Sequence, residues 1–318
     1  MKPQVLIIAP LLPGQMAQLE AAYDLHRLDK AADKAAFLAE VGPQIDAAVT
    51  VGSVGFTRAQ AEALPKCKIV STSSVGYDKI DLAACAAHGI AVTNTPDVLT
   101  DDVADTALML LLAAARQLPQ GEAHVRTGAW AKKGQMPLTM ALKGKTLGVV
   151  GLGRIGQAIA DRAEAFGMAI AYSGRSPKDV PYAYYPTPEA LAAEADVIVA
   201  AAAGGPETKG LVSRAALEAL GPKGIFVNIA RGSVVDEAAL IELLQSGKLG
   251  AAGLDVFENE PNPDPAFVTL ENAVLYPHHA SGTVETREAM SQLVVDNIAA
   301  HFAGQPLPTP VPLPKVAA

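Results

Sequence analysis

Two kinds of hydrophobic pattern alternate along the first hundred residues. Continuous apolar runs at 5–9, 47–51, 69–71 and 90–93 read as buried strands, and segments with helical spacing of apolar positions at 15–23, 31–40, 58–63 and 81–88 read as helices. A second series starts at Lys145, with strands expected near 146–150, 168–172, 196–201, 224–229, 250–254 and 273–276 and helices between several of them. Strand–helix alternation means a parallel sheet covered by helices. The predicted fold class is therefore α/β, with two doubly wound parallel-sheet domains in one chain.

Between the two series, 101–116 is acidic at its start, ends in Arg116 and is apolar almost all round. Those charges suit a helix dipole, Thr100 or Asp101 can cap it, and so apolar a helix has to be buried between domains or against another subunit. The stretch that follows, about 117–143, carries Trp130, the one tryptophan, together with Gly121, Gly128, Gly134 and Pro137. It reads as an irregular arm, with homodimerisation as its use. After Val284 a helix is expected over 285–302, followed by prolines at 306, 308, 310, 312 and 314. That tail fits a segment laid back on the first domain better than a polyproline ligand.

With 318 residues, the chain exceeds the usual size of a single core, and 50% apolar with 18% charged residues is globular composition. A net charge of −8 disfavours nucleic acid and anionic membranes as partners, while leaving room for a local basic pocket. Cys67 and Cys85 are too few for a disulfide framework and suit a reducing compartment. The N-terminal apolar run breaks at Pro10 and Pro13, which marks a strand rather than a signal peptide. The longest apolar stretch, 107–115, falls far short of the ~20 residues that span a bilayer. A soluble cytoplasmic protein acting on small molecules is expected.

The clearest chemical signal is Gly151-Leu152-Gly153-Arg154-Ile155-Gly156, which follows the apolar run 145–150 and precedes the helical stretch 157–163. In a dinucleotide site Gly151 permits the tight turn, Gly153 lets backbone approach a pyrophosphate and Gly156 lets the helix pack close to the strand. A bare strand-to-helix corner would explain the glycines without a ligand; the flanking strand and helix favour the dinucleotide. An acidic residue that would hold the ribose hydroxyls is missing beyond it: the next strand ends in Ser173-Gly174-Arg175-Ser176-Pro177-Lys178, with no carboxylate before Asp179. Arg175, Ser176 and Lys178 offer charge and hydrogen bonds to a 2′-phosphate, so NADP(H) is preferred and NAD(H) is the second choice. The plainer alternative is that Arg175 and Lys178 belong to a solvated turn.

Three charged residues fall at or just after expected strand ends, where ligands gather in open α/β sheets: Arg231, Glu260 and His278. Singly, each could be a surface arginine, a loop acid before proline or a core histidine. Together with a nicotinamide they form a working set. Reduction of a ketone builds negative charge on oxygen, which histidine can meet with a proton. A neighbouring carboxylate orients the imidazole, and a guanidinium can bind a 2-oxo acid's carboxylate and polarise its carbonyl. Adjacent His278 and His279 lack the i, i+4 spacing of ligands on one helix face, so no metal site is expected.

The glycine motif, Asn228-Ile229-Ala230-Arg231-Gly232-Ser233-Val234-Val235-Asp236-Glu237, Gly253-Leu254-Asp255-Val256-Phe257-Glu258-Asn259-Glu260-Pro261 and Pro277-His278-His279-Ala280-Ser281 resemble the D-isomer-specific 2-hydroxyacid dehydrogenase family. Ser74-Val75-Gly76-Tyr77-Asp78 and the segment 98–105 resemble its first-domain loop and linker helix, so the resemblance covers essentially the whole chain. It implies a Rossmann dinucleotide domain at 99–283 inserted into a discontinuous flavodoxin-like substrate domain made of 1–98 and 284–318. It also implies Arg231 as substrate-carboxylate binder, His278 as general acid/base with His279 the fallback, and Glu260 as the histidine's partner. Backbone amides around Val75 and Gly76, with Gly52 nearby, are implied to bind substrate. Thr106, Thr208, Ala230 and Asp255 join Gly151, Gly153, Arg154, Ile155, Gly156, Ser173, Gly174, Arg175 and Ser176 as expected cofactor residues, Asp255 holding the nicotinamide amide.

Within the family, the 173–176 turn and the 99–105 segment resemble NADPH-preferring glyoxylate/hydroxypyruvate and hydroxyphenylpyruvate reductases. The expected reaction is reduction of a small 2-oxo acid to the D-2-hydroxy acid. A hydroxyphenylpyruvate or 2-ketogluconate reductase is the alternative, and an aromatic substrate would need an apolar cleft near Val51, Val54 and Tyr77. A non-catalytic dinucleotide-sensing scaffold is the rival from outside enzymology, against which the intact Arg231, Glu260 and His278 argue.

Overall fold

In the computed structural model, which describes residues 2–315, the chain divides into two compact units: one from its two ends, up to Leu99 and from Gly282, and one spanning Thr100–Ser281. The first ninety-odd residues form, in order, β1 (Gln4–Ile7), α1 (Pro13–Ala22), β2 (Asp24–Arg27), α2 (Lys34–Val41), β3 (Ala47–Val51), α3 (Arg58–Ala63), β4 (Ile69–Ser73), α4 (Leu82–Ala87) and β5 (Ala91–Thr93). Side chains start several of these helices. Asp33 and Asp81 accept first-turn amides of α2 and α4, and Thr57 with Gln60 closes a capping box on α3.

The strands of this unit pair in parallel in the order β2-β1-β3-β4-β5. Helices cover both faces, so β1, β3 and β4 are buried along nearly their whole length; β1 and β3 are mostly apolar, while β4, Ile-Val-Ser-Thr-Ser, buries Ser71 and Thr72 as well. The strand β2, Asp-Leu-His-Arg, carries no such run. It is an edge strand held to β1 partly by polar contacts, with Gln4 bonded to both Asp24 and His26 at 3.0 and 2.7 Å.

The middle of the chain gives α5 (Thr100–Ala115), α6 (Leu118–Arg126), α7 (Ala129–Lys133), β6 (Thr146–Val150), α8 (Arg154–Ala165), β7 (Ala169–Ser173), β8 (Ala183–Tyr185), α9 (Pro188–Ala192), β9 (Val197–Ala200), α10 (Arg214–Leu220), β10 (Ile225–Asn228), α11 (Glu237–Gln245), β11 (Ala251–Leu254) and β12 (Ala273–Leu275). Among the described residues these make a seven-stranded parallel sheet in the order β12-β11-β10-β9-β6-β7-β8. Strand order reverses between β6 and β9, which opens a crevice at their C-terminal ends. Along α5, Leu108, Leu110 and Leu111 are buried, each stabilising by about 1.5–3 kcal/mol. Arg162 of α8 reaches Asp101 and Asp105 on α5 at 2.8 and 2.5 Å.

The stretch after α5, expected to be irregular, is instead helical in α6 and α7. Its breaks lie at Gln117 and Gly128, both in the left-handed region (φ 49° and 69°), and neither helix buries a residue. With three glycines and no buried face, these helices leave little hydrophobic period to read.

The helix α12 (Val284–Phe302) rejoins the first unit, where Val294, Val295 and Ile298 pack with Val5, Ile7, Leu19 and Ile69. Beyond it the proline-rich tail runs along β5: Val311 N–H donates to Val92 O at 2.8 Å and Thr309 Oγ1 to Asn94 O at 2.6 Å. An edge strand tolerates proline because no further strand needs its amide.

Candidate active site

Every feature of the dinucleotide motif lies at the crevice beside β6. Gly151 has φ +95°, and a Cβ there would come within 2.7 Å of Ala202 backbone. At Gly156 a Cβ would lie 2.4 Å from Gly151 O, so the helix approaches the turn this closely only because residue 156 is glycine. Gly153 differs: a Cβ there would meet nothing within 4 Å. It caps α8 with no side-chain hydrogen bond to the first-turn amides. Open space in front of donor N–H groups at a helix N-terminus suits a pyrophosphate, so the chain fits a dinucleotide on its own geometry. Arg154 is exposed beside it and Ile155 half-buried.

At the end of β7, Ser173 is buried and its carbonyl accepts Gly151 N–H at 2.9 Å. Gly174 follows half-buried, and Arg175, Ser176 and Lys178 are exposed. The groups free to meet a ligand there are therefore those of 175–178 rather than the Ser173 side chain. Thr106 is buried and donates to Ala280 O at 3.2 Å; Thr208 donates to Ala203 O at 2.7 Å in the loop after β9.

Arg231, Glu260 and His278 are brought together at the ends of β10, β11 and β12. Asn228, the last residue of β10, shapes the turn: its Oδ1 accepts Ala230 N–H at 3.0 Å and its Nδ2 donates to Arg231 O at 2.9 Å. The Arg231 guanidinium donates to Ala230 O at 2.7 Å and is close enough to Glu260 for its charge to act on that carboxyl. Gly232 then lies directly against the Phe257–Glu258 peptide.

His278 Nδ1 lies 2.7 Å from Glu260 Oε2, while Glu260 Oε1 accepts Phe257 N–H at 3.0 Å. Burial alone would raise the Glu260 carboxyl. The hydrogen bonds from His278 and Phe257 and the charges of His278 and Arg231 outweigh it and hold the group below its ordinary value. An ionised Glu260 only accepts, so Nδ1 carries the hydrogen and Nε2 is left for another partner. The neighbouring His279 ring instead stacks edge-on with Tyr276, centroids 5.9 Å apart.

The backbone of His278 has φ +48°, a region that non-glycine residues seldom occupy. Asp255 holds it there. Its main-chain oxygen accepts His278 N–H at 2.7 Å, and its carboxylate accepts the amides of His279 and Ala280 at 2.8 and 3.2 Å. Burial raises the Asp255 carboxyl against the opposing pull of those two amides and of His278. Glu237, buried at the start of α11, accepts Glu258 N–H at 2.8 Å and so pins the segment that carries Glu260. Of these braces the sequence nominates Asp255, as a cofactor residue; the bracing roles of Asn228 and Glu237 are not apparent from it. The available hint was Asn228 itself, since asparagine often bonds backbone two residues onward.

In the first unit, Gly52 follows β3 and the Val75–Gly76 loop follows β4. Asn94 Nδ2 donates to Val75 O at 2.9 Å, and the N–H groups of Val75 and Gly76 meet no acceptor among the described residues. Both cysteines are buried and free; burial pushes the Cys67 thiol up to about 12 and the Cys85 thiol to about 11, which rules them out as nucleophiles near neutral pH. Among the described residues no helix is long and apolar enough to cross a membrane, and no cluster of three or more His, Cys, Asp or Glu could hold a metal ion.

Comparison with known proteins identifies the family. Residues 108–280 match the family described as "D-isomer specific 2-hydroxyacid dehydrogenase, NAD binding domain". The chain is 48% identical to glyoxylate/hydroxypyruvate reductase A of Arabidopsis thaliana and 47% identical to hydroxyphenylpyruvate reductase of Plectranthus scutellarioides, in each case over 96% of this chain and 98% of the relative. Among solved structures, it superposes on the NADPH-dependent glyoxylate/hydroxypyruvate reductase of Sinorhizobium meliloti, crystallised with NADP and malonate, at a TM-score of 0.92. The two are 43% identical over 100% of both chains.

Proposed function

The chain belongs to the D-isomer specific 2-hydroxyacid dehydrogenase family, an NAD(P)-dependent oxidoreductase acting on CH–OH donors, and we propose that it is an NADPH-dependent reductase of a small 2-oxo acid such as glyoxylate or hydroxypyruvate. The observation that carries the reading is the Arg231, Glu260 and His278 constellation, on the same sheet as a 2′-phosphate turn that lacks a carboxylate. When bound, the reduced nicotinamide supplies the hydride. Gly151, Gly153 and Gly156 seat the pyrophosphate with Arg154 and Ile155 beside them, and Arg175, Ser176 and Lys178 take the 2′-phosphate.

Arg231 binds the substrate carboxylate through its planar guanidinium and draws charge from the adjacent carbonyl. Within the first unit, the amides of Val75 and Gly76 are proposed as substrate-binding donors. His278 gives the proton from Nε2 as charge builds on the carbonyl oxygen, and Glu260 at Nδ1 keeps the ring oriented and supports the imidazolium. Asp255 is proposed to receive the nicotinamide amide while its carboxylate holds the histidine loop.

The arm around 117–143 is proposed to pair with a second copy. Leu118, Val125, Trp130 and Leu138 are 61%, 59%, 56% and 99% exposed, a set of large apolar side chains that a partner would cover. The buried free thiols suit a cytoplasmic setting.

The test is kcat/KM for glyoxylate, hydroxypyruvate, phenylpyruvate and 2-ketogluconate with NADPH and NADH. Highest efficiency on the two small acids with NADPH is expected; no turnover in the panel would refute the enzyme reading. His278→Ala should lose turnover while still binding dinucleotide, and retained turnover would move the proton role to His279.

A further inference from the structure

Residues Tyr172 and Tyr184 stand opposite each other on the parallel strands β7 and β8, with ring centroids 5.4 Å apart. Both phenol groups engage the turn that follows β7, at opposite ends of it. Tyr172 Oη accepts Lys178 N–H at 2.6 Å, and Tyr184 Oη donates to Gly174 O at 3.2 Å. The start of the turn is fastened once more where Ser173 O accepts Gly151 N–H. Main chain is thus held at 173, 174 and 178, while the side chains of Arg175, Ser176 and Lys178 extend into solvent. Tyr172 is 1% exposed, so phenylalanine would fill its place in the core equally well. What the hydroxyl adds is the bond to Lys178.

We propose that Tyr172 and Tyr184 are positioning residues for cofactor choice: they hold the 173–178 turn in the shape that receives the adenosine 2′-phosphate, and so favour NADP(H) over NAD(H). This rests on the NADPH reading above. Long, flexible Arg and Lys side chains bind a phosphate at an entropic cost that falls when their backbone is fixed beforehand. The pyrophosphate is met by α8 and the glycines, to which neither phenol is bonded. Loosening the turn should therefore weaken binding only of ligands that carry a 2′-phosphate.

The experiment is calorimetric titration of the full chain with 2′,5′-ADP, 5′-ADP, NADP+ and NAD+, comparing wild type with Tyr172→Phe, Tyr184→Phe and Arg175→Ala. Loss of one such hydrogen bond should raise the Kd for 2′,5′-ADP and NADP+ about 3–10-fold, with 5′-ADP and NAD+ unchanged within about twofold. Tyr184 is only half-buried, so Tyr184→Phe serves if Tyr172→Phe folds poorly. Equal weakening of both ligand classes would overturn the proposal. So would unchanged affinities in both tyrosine variants while Arg175→Ala weakens 2′,5′-ADP alone. A wild type that binds 5′-ADP as tightly as 2′,5′-ADP would refute the NADPH reading itself, and the positioning role with it.

Discussion

Replacing Gly232 with alanine tests how tightly Arg231 and Glu260, the partner of His278, are geared together. A methyl on Gly232 would fall 1.9 Å from Phe257 C, 2.1 Å from Glu258 N and 2.2 Å from Phe257 O. Carbon atoms settle at about 3.5–4.0 Å, so the two backbone segments must part by more than about 1 Å. None of the three atoms is a side-chain end that can swing away. Gly232 itself is not among the residues with positive φ, so alanine adds no backbone strain and the cost is purely one of contact. Overpacking of this kind costs about 1–3 kcal/mol, or roughly 2–10 °C in Tm for a domain of this size. The functional cost is larger. The displaced peptide donates Glu258 N–H to Glu237, and the adjoining Phe257 N–H donates to the Glu260 carboxylate that orients His278. Arg231 is attached on the other side. Misplacing such groups by about 1 Å costs on the order of 10²-fold, so kcat/KM should fall by about that factor while dinucleotide affinity holds. Steady-state oxidation of NADPH by a 2-oxo acid, calorimetry with NADP+ and a thermal melt read the three quantities. A Gly232→Ala protein with wild-type kcat/KM and unchanged Tm would refute the gearing.

Gly153→Ala should behave in the opposite way, because its Cβ meets nothing in the protein: Tm should hold while both NADP+ and NAD+ bind at least about tenfold more weakly, and undiminished affinity would place the pyrophosphate elsewhere. Glu260 is held below its ordinary value, so its stabilising contribution is present above the usual carboxyl pKa of about 4.3 and is lost as pH falls through the lowered value. Urea melts should show the wild type's margin over Glu260→Gln narrowing as pH drops below about 4, and a constant margin from pH 7 to 3 would contradict this. Glu237 is raised by burial, so its contribution is greatest at low pH and is lost as pH rises and the buried group ionises. Glu237→Gln, which keeps an acceptor for Glu258 N–H, should melt at or above wild type at pH 7, with Glu237→Ala about 1–3 kcal/mol less stable; equal melting of the two variants would remove the bond from consideration.

Much of the second sheet was legible because buried parallel strands leave uninterrupted apolar runs: 146–150 was read with the bounds that β6 has. The edge strands β2 and β8 were not, since one is Asp-Leu-His-Arg and the other a three-residue Ala-Tyr-Tyr, and neither is buried on two faces. The arm helices left no trace for a related reason, having no buried stripe whose period could be counted. Arg231, Glu260 and His278 could be picked out because charged residues at the ends of buried strands are conspicuous. Nothing in Pro-His-His separates the two histidines in kind. What separates them is that Asp255 accepts the amides of 278, 279 and 280 and holds His278 at φ +48°, placing its ring and not its neighbour's against Glu260.

That difference generalises to the glycines. In sequence, Gly153 and Gly232 are alike, each next to an arginine at the end of a strand-turn. In space, one leaves a volume that the chain does not fill, in front of a helix N-terminus, and the other leaves room that the chain's own Phe257–Glu258 peptide already occupies. A missing side chain has a reason only in what comes near it. Hydrophobic period therefore locates strands and helices, and residue chemistry nominates acids, bases and cations. The side-chain-to-backbone bonds of Asn228, Glu237, Asp255, Tyr172 and Tyr184 have no period, and each is defined by a partner reached through the fold. The site's chemical groups are readable one residue at a time, while their alignment belongs to residues that look ordinary until their partners are known.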